Sequence, residues 1–298
     1  MKTAPATAVI VNYNSGDRLD PLLGVLTPQV ERVVVVDNAS GDGSAEAIQG
    51  RPNVRVIRNH TNRGFAAAAN QGAAVAESEW LLFVNPDVHL SPTDVTALLA
   101  DVPPDVAAVA PLQVDGGGNP KPETGGYRPT LLRYLVWAVV PVRLHRTWGP
   151  WLAPPWPTGD IELDWVSGAL LAIRRSVFEA LDGFDERFFL YHEDVDFGTR
   201  ARRAGYRVLC RPVVRLHHEV AHGDPRRRIA SGLRSVESLG VAFTGWRRRV
   251  LGLILLLGFA LRTVLGSGTG RDLARVAIPH ARALVAGRVP DRILPPLA

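Results

Sequence analysis

Short apolar runs alternate with segments of helical spacing through the first 110 residues, and this alternation constrains the fold more than any other feature. The runs predict five strands: Ala8–Tyr13, Val33–Val36, Val54–Ile57, Trp80–Val84 and Val106–Ala110. Helical spacing covers Arg18–Leu26, Ser44–Gln49 and Ala66–Ala76. The runs are continuously apolar, which is typical of parallel strands buried on both faces. We therefore predict an α/β fold with a mostly parallel central sheet flanked by helices.

Polar residues follow the first four predicted strands at their carboxyl ends, where open parallel sheets bind their ligands. These residues are Asn12-Tyr13-Asn14, Asp37-Asn38-Ala39-Ser40, Asn59 and Asn85-Pro86-Asp87. Chance rarely directs so many amides and carboxylates to one edge of a sheet. The sequence therefore predicts a ligand site along this edge.

Asp37 follows four consecutive valines. A carboxylate in this position can accept the imide N–H of uracil or thymine, or a ribose hydroxyl. Alternatively, Asp37 and Ser40 cap the helix that begins near Gly43. The sequence contains neither a G-x-G-x-x-G fingerprint nor a G-x-x-x-x-G-K-[ST] loop, so a nucleotide would be held by other means.

Asn85-Pro86-Asp87 suggests a metal site. A carboxylate at the end of a buried strand can hold Mg²⁺ or Mn²⁺ that bridges two phosphate oxygens. One carboxylate is a weak site by itself, so a second ligand is expected. The pair His217-His218 ends a later predicted strand and can supply that ligand, unless both histidines are ordinary surface residues.

Glu193-Asp194-x-Asp196 opens a predicted helix directly after the bulky segment 188–191. Carboxylates at a helix N-terminus are favoured by the helix dipole. Three of them within four positions exceed what capping needs. Apolar surroundings can raise the pKa of such a carboxylate towards that of a useful base.

We predict two parts, a nucleotide-binding part at residues 1–223 and a helical C-terminal extension at residues 224–298. Within the first part, prolines, tryptophans and three consecutive glycines break up residues 111–162. We predict an irregular insert there, which would lie beside the ligand site and bind a second substrate, the acceptor of a transferred group. Packing of these loops on themselves is the alternative. Strand and helix signals return from Asp164, with two short strands expected at Tyr206–Leu209 and Val213–Leu216.

Charge is unevenly distributed along the chain. Residues 202–298 hold 18 arginines and 5 acidic residues, a balance of +13, which leaves −8 for the first 201 residues. This pattern argues against a nucleic-acid binder, whose basic surface would surround the site. It suits a domain whose tail lies on an anionic membrane surface, or else a solvated basic tail.

Val250–Leu261 is a run of 12 apolar or glycine residues between Arg247–Arg249 and Arg262. A spanning helix needs roughly 20 apolar residues, so this run is too short to cross a bilayer. It can lie in the membrane interface or form a buried packing or homodimer helix. The single cysteine and the absence of an apolar leader before the first strand favour a cytoplasmic protein, peripheral on the inner face of the cell membrane.

Seven ordered motifs resemble those of the family 2 glycosyltransferases, which have the GT-A fold. They are Val-Ile-Val-Asn-Tyr-Asn (9–14), Val-Asp-Asn-Ala-Ser-x-Asp-Gly-Ser (36–44), Asn-Arg-Gly-Phe-Ala-Ala-Ala-Ala-Asn (62–70), Asn-Pro-Asp (85–87), Val-Ser-Gly-Ala (166–169), Gly-Phe-Asp-Glu-Arg-Phe-Phe (183–189) and Glu-Asp-Val-Asp (193–196). Within the family, the chain most resembles the bacterial rhamnosyltransferase branch, which includes enzymes that add rhamnose to polyprenyl-diphosphate-linked GlcNAc.

The resemblance implies a role for each motif. It assigns the nucleotide-sugar donor to Asn12, Tyr13, Asn14, Asp37, Asn38, Ser40, Arg63, Gly64, Asn70, Asn85 and Asp87. It implies that Asp194 is the general base and that Asp87 and His218 hold Mg²⁺ or Mn²⁺. It places Trp165, Ser167, Gly168 and Glu193 on the acceptor side. Asn85-Pro86-Asp87 keeps only the second acid of the Asp-x-Asp motif of the family.

The expected function is inverting transfer of a sugar, best matched by rhamnose from dTDP-rhamnose. The expected acceptor is a hydroxyl of a lipid-linked or polysaccharide molecule in cell-envelope glycan synthesis. A transferase that uses a UDP-sugar, of galactosyl or GlcNAc type, is an alternative, and so is a catalytically silent scaffold that binds nucleotide or glycan. A sugar-1-phosphate nucleotidyltransferase would need a glycine-rich loop near the N-terminus, which Val11–Arg18 lacks.

Overall fold

A computed structural model describes residues 3–140, 148–218, 225–265 and 268–289. The strands are β1 Ala4–Asn12, β2 Val30–Asp37, β3 Val54–Arg58, β4 Trp80–Val84, β5 Val88–His89, β6 Val106–Val114, β7 Gly125–Gly126, β8 Ile161–Leu163, β9 Trp165–Val166, β10 Leu170–Arg174 and β11 Arg207–His218. The helices are α1 Leu19–Leu26, α2 Ser44–Ala47, α3 Phe65–Ala73, α4 Asp94–Leu99, α5 Leu131–Val139, α6 Arg175–Ala180, α7 Glu193–Arg203, α8 Pro225–Ala242, α9 Gly245–Leu265 and α10 Gly268–Val285.

Nine of the described strands form one sheet, in the order β3-β2-β1-β4-β10-β6-β11-β5, with β8 paired to β11 beside that path. β1 to β4, β6 and β11 point the same way, whereas β10, β5 and β8 run antiparallel to their neighbours. The predicted mostly parallel sheet is therefore confirmed. Its shared carboxyl edge also includes the start of β10, because Leu170 pairs with Val84.

Continuous valine runs form central strands because both faces of the sheet are covered. Val33 and Val35 pack into the large core beside α1, while Val34 and Val36 pack with Ala68 of α3 in a separate cluster. Successive side chains of a strand point to opposite faces, so both faces need apolar residues.

Small residues allow α3 to lie close against the sheet. Ala66, Ala68 and Ala69 are fully buried, and a Cβ added at Gly72 would lie 2.4 Å from Cγ1 of Val9. A larger side chain at position 72 would push the helix away from β1.

The two strands expected at 206–209 and 213–216 are one strand, β11. Its pairing with β6 is irregular between Arg211 and Arg215, where the strand carries more residues than its partner. Arg211 is buried there and is held by Asp160 and by the carbonyl oxygens of Leu98 and Ala100. The interruption between the two apolar runs thus marks a bulge within one strand and not the end of a strand.

The chain forms two compact units. The first comprises the described residues within Met1–Gly126, Pro155–Phe189 and Glu193–Glu219, and the second those within Tyr127–Pro154, Leu190–His192 and Val220–Ala298. This division differs from the predicted one, because the middle of the predicted insert and three residues near 191 join the C-terminal helices. The predicted boundary at 223–224 lies outside the described residues, as do 141–147 of the insert and 290–298 of the extension.

The second unit is built by α5, α8, α9 and α10. α5 lies within the segment that we predicted to be irregular; Thr130 caps it by accepting a hydrogen bond from the N–H of Arg133. Its residues Tyr134 and Ala138 share a core with Leu251, Leu255 and other residues of the C-terminal helices. α5 is amphipathic, and one of its faces is buried by helices that come much later in the chain. Its helical structure is therefore not predicted by the local sequence.

The apolar run 250–261 lies within α9 and has two different faces. Leu251 and Leu255 are buried in the core of the second unit, whereas Leu253 and Leu257 are 56% and 45% exposed. The run therefore packs within its own unit and also presents an apolar surface. Among the described helices, none is both long and apolar enough to cross a membrane.

Candidate active site

The carboxyl edge of the sheet brings together polar side chains from the ends of four strands. β1 ends at Asn12, β2 at Asp37 and β11 at His218, and Asn85 follows β4 directly. The backbone N–H of Asn85 donates to the carbonyl of Ala169 at the start of β10, 2.9 Å away. The predicted strand-end residues thus share one edge.

Asn12 organises the residues around Asp37. Its buried side-chain amide donates to Oδ1 of Asp37 at 2.9 Å, to Oγ of Ser44 at 2.9 Å and to Oγ of Ser40 at 3.2 Å. Ser15 in turn donates to Oδ1 of Asn12. The Asn12 side chain has no exposed surface, so it positions the Asp37 carboxylate from the interior of the protein.

Asn14 and Tyr13 lie at the mouth of this network and are half-buried. The N–H of Asn14 donates to Ser40 at 3.0 Å, and its side-chain oxygen accepts the N–H of Gly41 at 2.9 Å. Asn14 has a left-handed backbone, with φ of 49°, which asparagine tolerates better than most residues. The loops after β1 and β2 are therefore held to each other around Asp37.

Asn38 holds the loop that follows β3. Its amide nitrogen donates to Asn62 Oδ1 at 2.9 Å and to the carbonyl of Gly64 at 3.1 Å, while its oxygen accepts from the N–H of Arg63 at 3.1 Å. Asn38 is buried and the side chain of Arg63 is exposed. The loop is thus fixed at its backbone, and the Arg63 guanidinium extends from a rigid base.

Gly64 and Asn70 bind the segment 183–189. Gly64 has φ of 86°, and a Cβ there would lie 2.6 Å from the carbonyl oxygen of Phe189, which also accepts the N–H of Phe65 at 2.6 Å. The Asn70 side chain donates to the carbonyl of Phe184 at 2.8 Å and accepts the N–H of the same residue at 2.9 Å. Both residues therefore position the segment that leads to Asp194.

His218 and Asp87 meet at this edge. Nε2 of His218 lies 3.2 Å from Oδ1 of Asp87, and Nδ1 lies 3.2 Å from Oε1 of Gln113. If Nε2 bound a cation, Nδ1 would carry the ring proton, and the Gln113 oxygen is placed to accept it. His217 points elsewhere, with its ring 4.9 Å from that of His89.

Gln113 was missed in the sequence. It is buried at the next-to-last position of β6, and its backbone N–H is held by Thr124 Oγ1 at 3.0 Å. The predicted strand-end site covers only the first four strands. The same rule applied to β6 would have identified Gln113.

Asp194 lies in the first turn of α7, where backbone N–H groups hold both of its oxygens. Gly168 donates to Oδ2 at 2.9 Å and Val195 donates to Oδ1 at 2.8 Å. Burial raises the pKa of Asp194 above its ordinary value, although these hydrogen bonds act in the opposite direction. The result is an oriented carboxylate that holds a proton more readily than an ordinary aspartate.

Glu193 is 5% exposed, and its Oε2 has no hydrogen-bond partner among the described residues. Burial, together with the charge of neighbouring Asp194, raises the pKa of Glu193 well above its ordinary value. Glu193 therefore holds a proton more readily than an ordinary glutamate, and an ionised Asp194 favours this further.

The other residues assigned to the acceptor side form the backbone frame around Asp194. Trp165 is buried in β9, and a Cβ at Gly198 of α7 would lie 2.8 Å from its Cα. Ser167 accepts the N–H of Ala169 at 3.3 Å, and Gly168 lies beside the carboxylates. Asp196, two residues after Asp194, forms an ion pair with Arg200 at 2.6 Å.

Comparison with known proteins places these features in context. The Glycosyl transferase family 2 model matches residues 7–181. The chain is 33% identical to N-acetylglucosaminyl-diphospho-decaprenol L-rhamnosyltransferase of Mycobacterium tuberculosis, over 86% of this chain and 91% of the relative. It is 23% identical to rhamnosyltransferase WbbL of Escherichia coli, over 76% of this chain and 87% of the relative.

A solved structure shows the same fold. The mannosyltransferase PcManGT from Pyrobaculum calidifontis, in complex with GDP-Man and Mn²⁺, aligns with a TM-score of 0.57 at 19% identity. The alignment covers 96% of this chain and 86% of that chain. At this identity the likeness concerns the fold alone.

Proposed function

Since this chain belongs to glycosyltransferase family 2, we propose that it transfers rhamnose from dTDP-rhamnose, with inversion, to a hydroxyl of a lipid-linked acceptor. The rhamnosyl donor is proposed because the relatives described above are rhamnosyltransferases. The acceptor is proposed by analogy with the glycosylated diphospho-decaprenol in the name of the mycobacterial relative. A polysaccharide hydroxyl is the other acceptor of the same chemistry.

The observation that carries the proposal is the placement of Asp194. Its carboxylate is fixed by the N–H groups of Gly168 and Val195 and has a raised pKa. A base so placed can remove the proton from an acceptor hydroxyl, which typically contributes about 10²–10⁴-fold to the rate. Burial and the charge of Asp194 raise the pKa of Glu193 well above its ordinary value, which favours its neutral form and leaves Asp194 as the one carboxylate for direct displacement with inversion.

Asp87 and His218 fit a divalent cation. Nδ1 of His218 lies 3.2 Å from Oε1 of Gln113, and Nε2 lies 3.2 Å from Oδ1 of Asp87. A cation held by Nε2 and Oδ1 would leave the ring proton on Nδ1, where Gln113 can accept it. Bound there, Mg²⁺ or Mn²⁺ would neutralise the departing diphosphate. The described residues contain no group of three or more candidate ligands, which suits a site that donor phosphates and water complete.

Nucleotide recognition is proposed for the loops after β1, β2 and β3. Asp37 would accept the imide N–H of the thymine base, with Tyr13 and Asn14 beside the nucleoside and Arg63 near the diphosphate. Asn12, Asn38 and Asn70 act as positioning residues, since their amides are engaged within the protein. Uracil presents the same imide group, so a UDP-sugar remains the alternative donor.

The second unit is proposed to bind the anionic face of the membrane that holds the acceptor. α5 exposes Leu132 and Leu135, and α9 exposes Trp246, Leu253 and Leu257. Arg247 and Arg249 are also exposed at the start of α9. An apolar face with arginines at one end suits an interfacial helix, which would make the protein peripheral on the cytoplasmic side of the membrane.

The test is transfer by the purified full-length protein to GlcNAc-diphospho-polyprenol, with dTDP-rhamnose, UDP-galactose and UDP-GlcNAc as donors. We expect transfer from dTDP-rhamnose, dependence on Mg²⁺ or Mn²⁺, and a product of inverted anomeric configuration. Transfer from a UDP-sugar alone would replace the donor assignment, and retained configuration would refute direct displacement.

Two matched variants test the base. Asp194→Asn should lower kcat by about 10²–10⁴-fold and leave donor binding intact. Asp196→Asn removes a carboxylate two residues away, one that is paired with Arg200, and should retain most of the activity of the folded protein. Full activity of the folded Asp194→Asn variant would exclude Asp194 as the base.

A further inference from the structure

Three serines lie on one face of α8. Ser231, Ser235 and Ser238 are spaced by four and three positions, so they share one side of the helix. Each forms a hydrogen bond to one of three consecutive residues, Leu190, Tyr191 and His192, which the contact pattern assigns to the same unit as α8. The residue that follows is Glu193, the first residue of α7.

The three contacts are distinct in kind. Ser238, which is buried, donates to the carbonyl oxygen of Leu190 at 2.8 Å. The Tyr191 hydroxyl donates to Ser231 Oγ at 3.0 Å, and Ser235 Oγ lies 3.4 Å from Nε2 of His192. The other ring nitrogen of His192 is buried and has no hydrogen-bond partner in the described parts of the chain, so Ser235 is its anchor. The serines of α8 thus bond to the backbone of segment 190–192 at Leu190 and to its side chains at Tyr191 and His192.

The segment needs such support because its backbone is unusual. Tyr191 has φ of 68° and His192 has φ of 70°. Two consecutive residues with side chains rarely adopt this left-handed conformation, which persists only where surrounding contacts fix it. Without the serines, the segment would relax towards ordinary backbone angles and rotate the residues that follow.

We propose that Ser231, Ser235 and Ser238 of α8 are positioning residues, which hold segment 190–192 in its left-handed conformation and thereby set the Asp194 carboxylate. The inference rests on the proposed role of Asp194 as base. Asp194 is two peptide bonds beyond His192, and its oxygens keep their N–H partners only if the first turn of α7 begins in its present orientation. The C-terminal helices thus contribute to catalysis through the chain itself.

Amide hydrogen exchange tests the placement without an activity assay. The reporters are the N–H groups of Val195 and Gly168, which both donate to Asp194. In a Ser231→Ala/Ser235→Ala/Ser238→Ala variant of the full chain, we expect exchange at both amides to be about 10-fold faster or more. The control is Thr263→Ala, which removes a hydroxyl that donates to the Phe259 carbonyl within α9 and should leave both rates unchanged.

Kinetics give the second readout. The triple variant should lower kcat by about 10- to 100-fold, with the KM for the donor unchanged, because misplacement of a base affects the chemical step. Ser238→Ala alone should show part of this loss, and Ser238→Thr, which keeps the hydroxyl, should restore kcat. If the triple variant does not fold, the same exchange and kinetic measurements are made on Ser238→Ala and Ser238→Thr.

The outcomes separate the inference from the proposed function. Unchanged exchange at Val195 and Gly168 in a folded triple or Ser238→Ala variant overturns the inference, and so does a kcat equal to that of the Thr263→Ala control. Absence of sugar transfer by the unmodified protein overturns the proposed function, while the exchange rates still decide whether the serines place Asp194.

Discussion

Nε2 of His218 lies 3.2 Å from Oδ1 of Asp87, although 131 positions separate the two residues in the chain. They meet because the end of β11 pairs with β5, where His218 is opposite Val88, the residue after Asp87. The neighbouring His217 is opposite His89 and turns to the other face of the strand. One register thus selects which of two adjacent histidines faces the carboxylate.

This register predicts different effects for the two histidines. His218→Ala should weaken Mn²⁺ binding in the presence of dTDP by about 10-fold or more, because it removes the nitrogen that faces Asp87. His217→Ala should leave the affinity unchanged. Calorimetric titration of both variants measures this, and equal losses in the two would show that neither ring binds the metal.

The rate of transfer should depend on pH through Asp194. A base acts in its ionised form, so kcat should fall as the pH falls through the pKa of Asp194. Because burial raises that pKa, the acid limb should lie above the position expected for an ordinary aspartate. Asp196→Asn should keep the same limb. A limb at the ordinary value of an exposed carboxylate would contradict the assignment.

Glu193 should lower the stability of the protein at neutral pH. Its pKa is raised in the folded state, so the folded protein binds more protons than the unfolded chain, and stability falls as the pH rises through the folded-state pKa. Glu193→Gln should therefore raise the free energy of unfolding at pH 7, by on the order of 1 kcal/mol or more. It should also flatten the pH dependence measured by urea unfolding.

The control for this measurement is Glu179→Gln, which changes an exposed carboxylate paired with Arg175 on α6. Surface pairs of this kind contribute about 0–1 kcal/mol, so this variant should differ little from the unmodified protein at any pH. A destabilised Glu193→Gln variant at pH 7 would mean that the buried group is ionised and paired.

Membrane binding should depend on the exposed face of α9. Leu253→Gln/Leu257→Gln should lower partitioning onto vesicles that contain phosphatidylglycerol by about 10-fold or more, because about 1.5–3 kcal/mol is gained by burying each such side chain fully. Val213→Gln changes a residue of β11 that is 76% exposed, and it should bind vesicles as the unmodified protein does. Vesicle sedimentation compares the three.

The contrary result has a clear meaning. If the double variant binds vesicles normally but changes from dimer to monomer in light scattering, the face of α9 is a contact between two copies of the chain. If the unmodified protein and both variants bind vesicles equally and have the same mass, the exposed face of α9 neither binds the membrane nor forms a dimer contact.

The features that could be predicted from the sequence are those that depend on local pattern. The valine run of β2 and the alanines of α3 have the periods of a buried strand and a packed helix, and both elements form as predicted. Polar residues after strands reach one edge because parallel strands end together. The GT-A fold expected from the seven motifs is confirmed.

The features that could not be predicted depend on distant partners. The family resemblance assigns Asn70 to the nucleotide-sugar donor. Its side-chain amide instead donates a hydrogen bond to the carbonyl oxygen of Phe184, 114 positions away. Asn12 and Asn38 likewise bind within the protein, over separations that no local spacing reveals. α5 is hidden in a proline-rich stretch because its buried face meets helices more than 90 positions later. These amides therefore hold the loops around the proposed site through bonds within the protein.

Three separate stretches contribute described residues to the second unit, within Tyr127–Pro154, at Leu190–His192 and from Pro225 onward. A protein emerging from the ribosome cannot complete that unit before α10 has been synthesised, because α5 and the 190–192 segment must wait for their partner helices. Tyr191 and His192, whose side chains bond to serines of α8, would gain these contacts only after that helix had been synthesised. Dividing the gene at a single point would leave fragments that each lack part of a core.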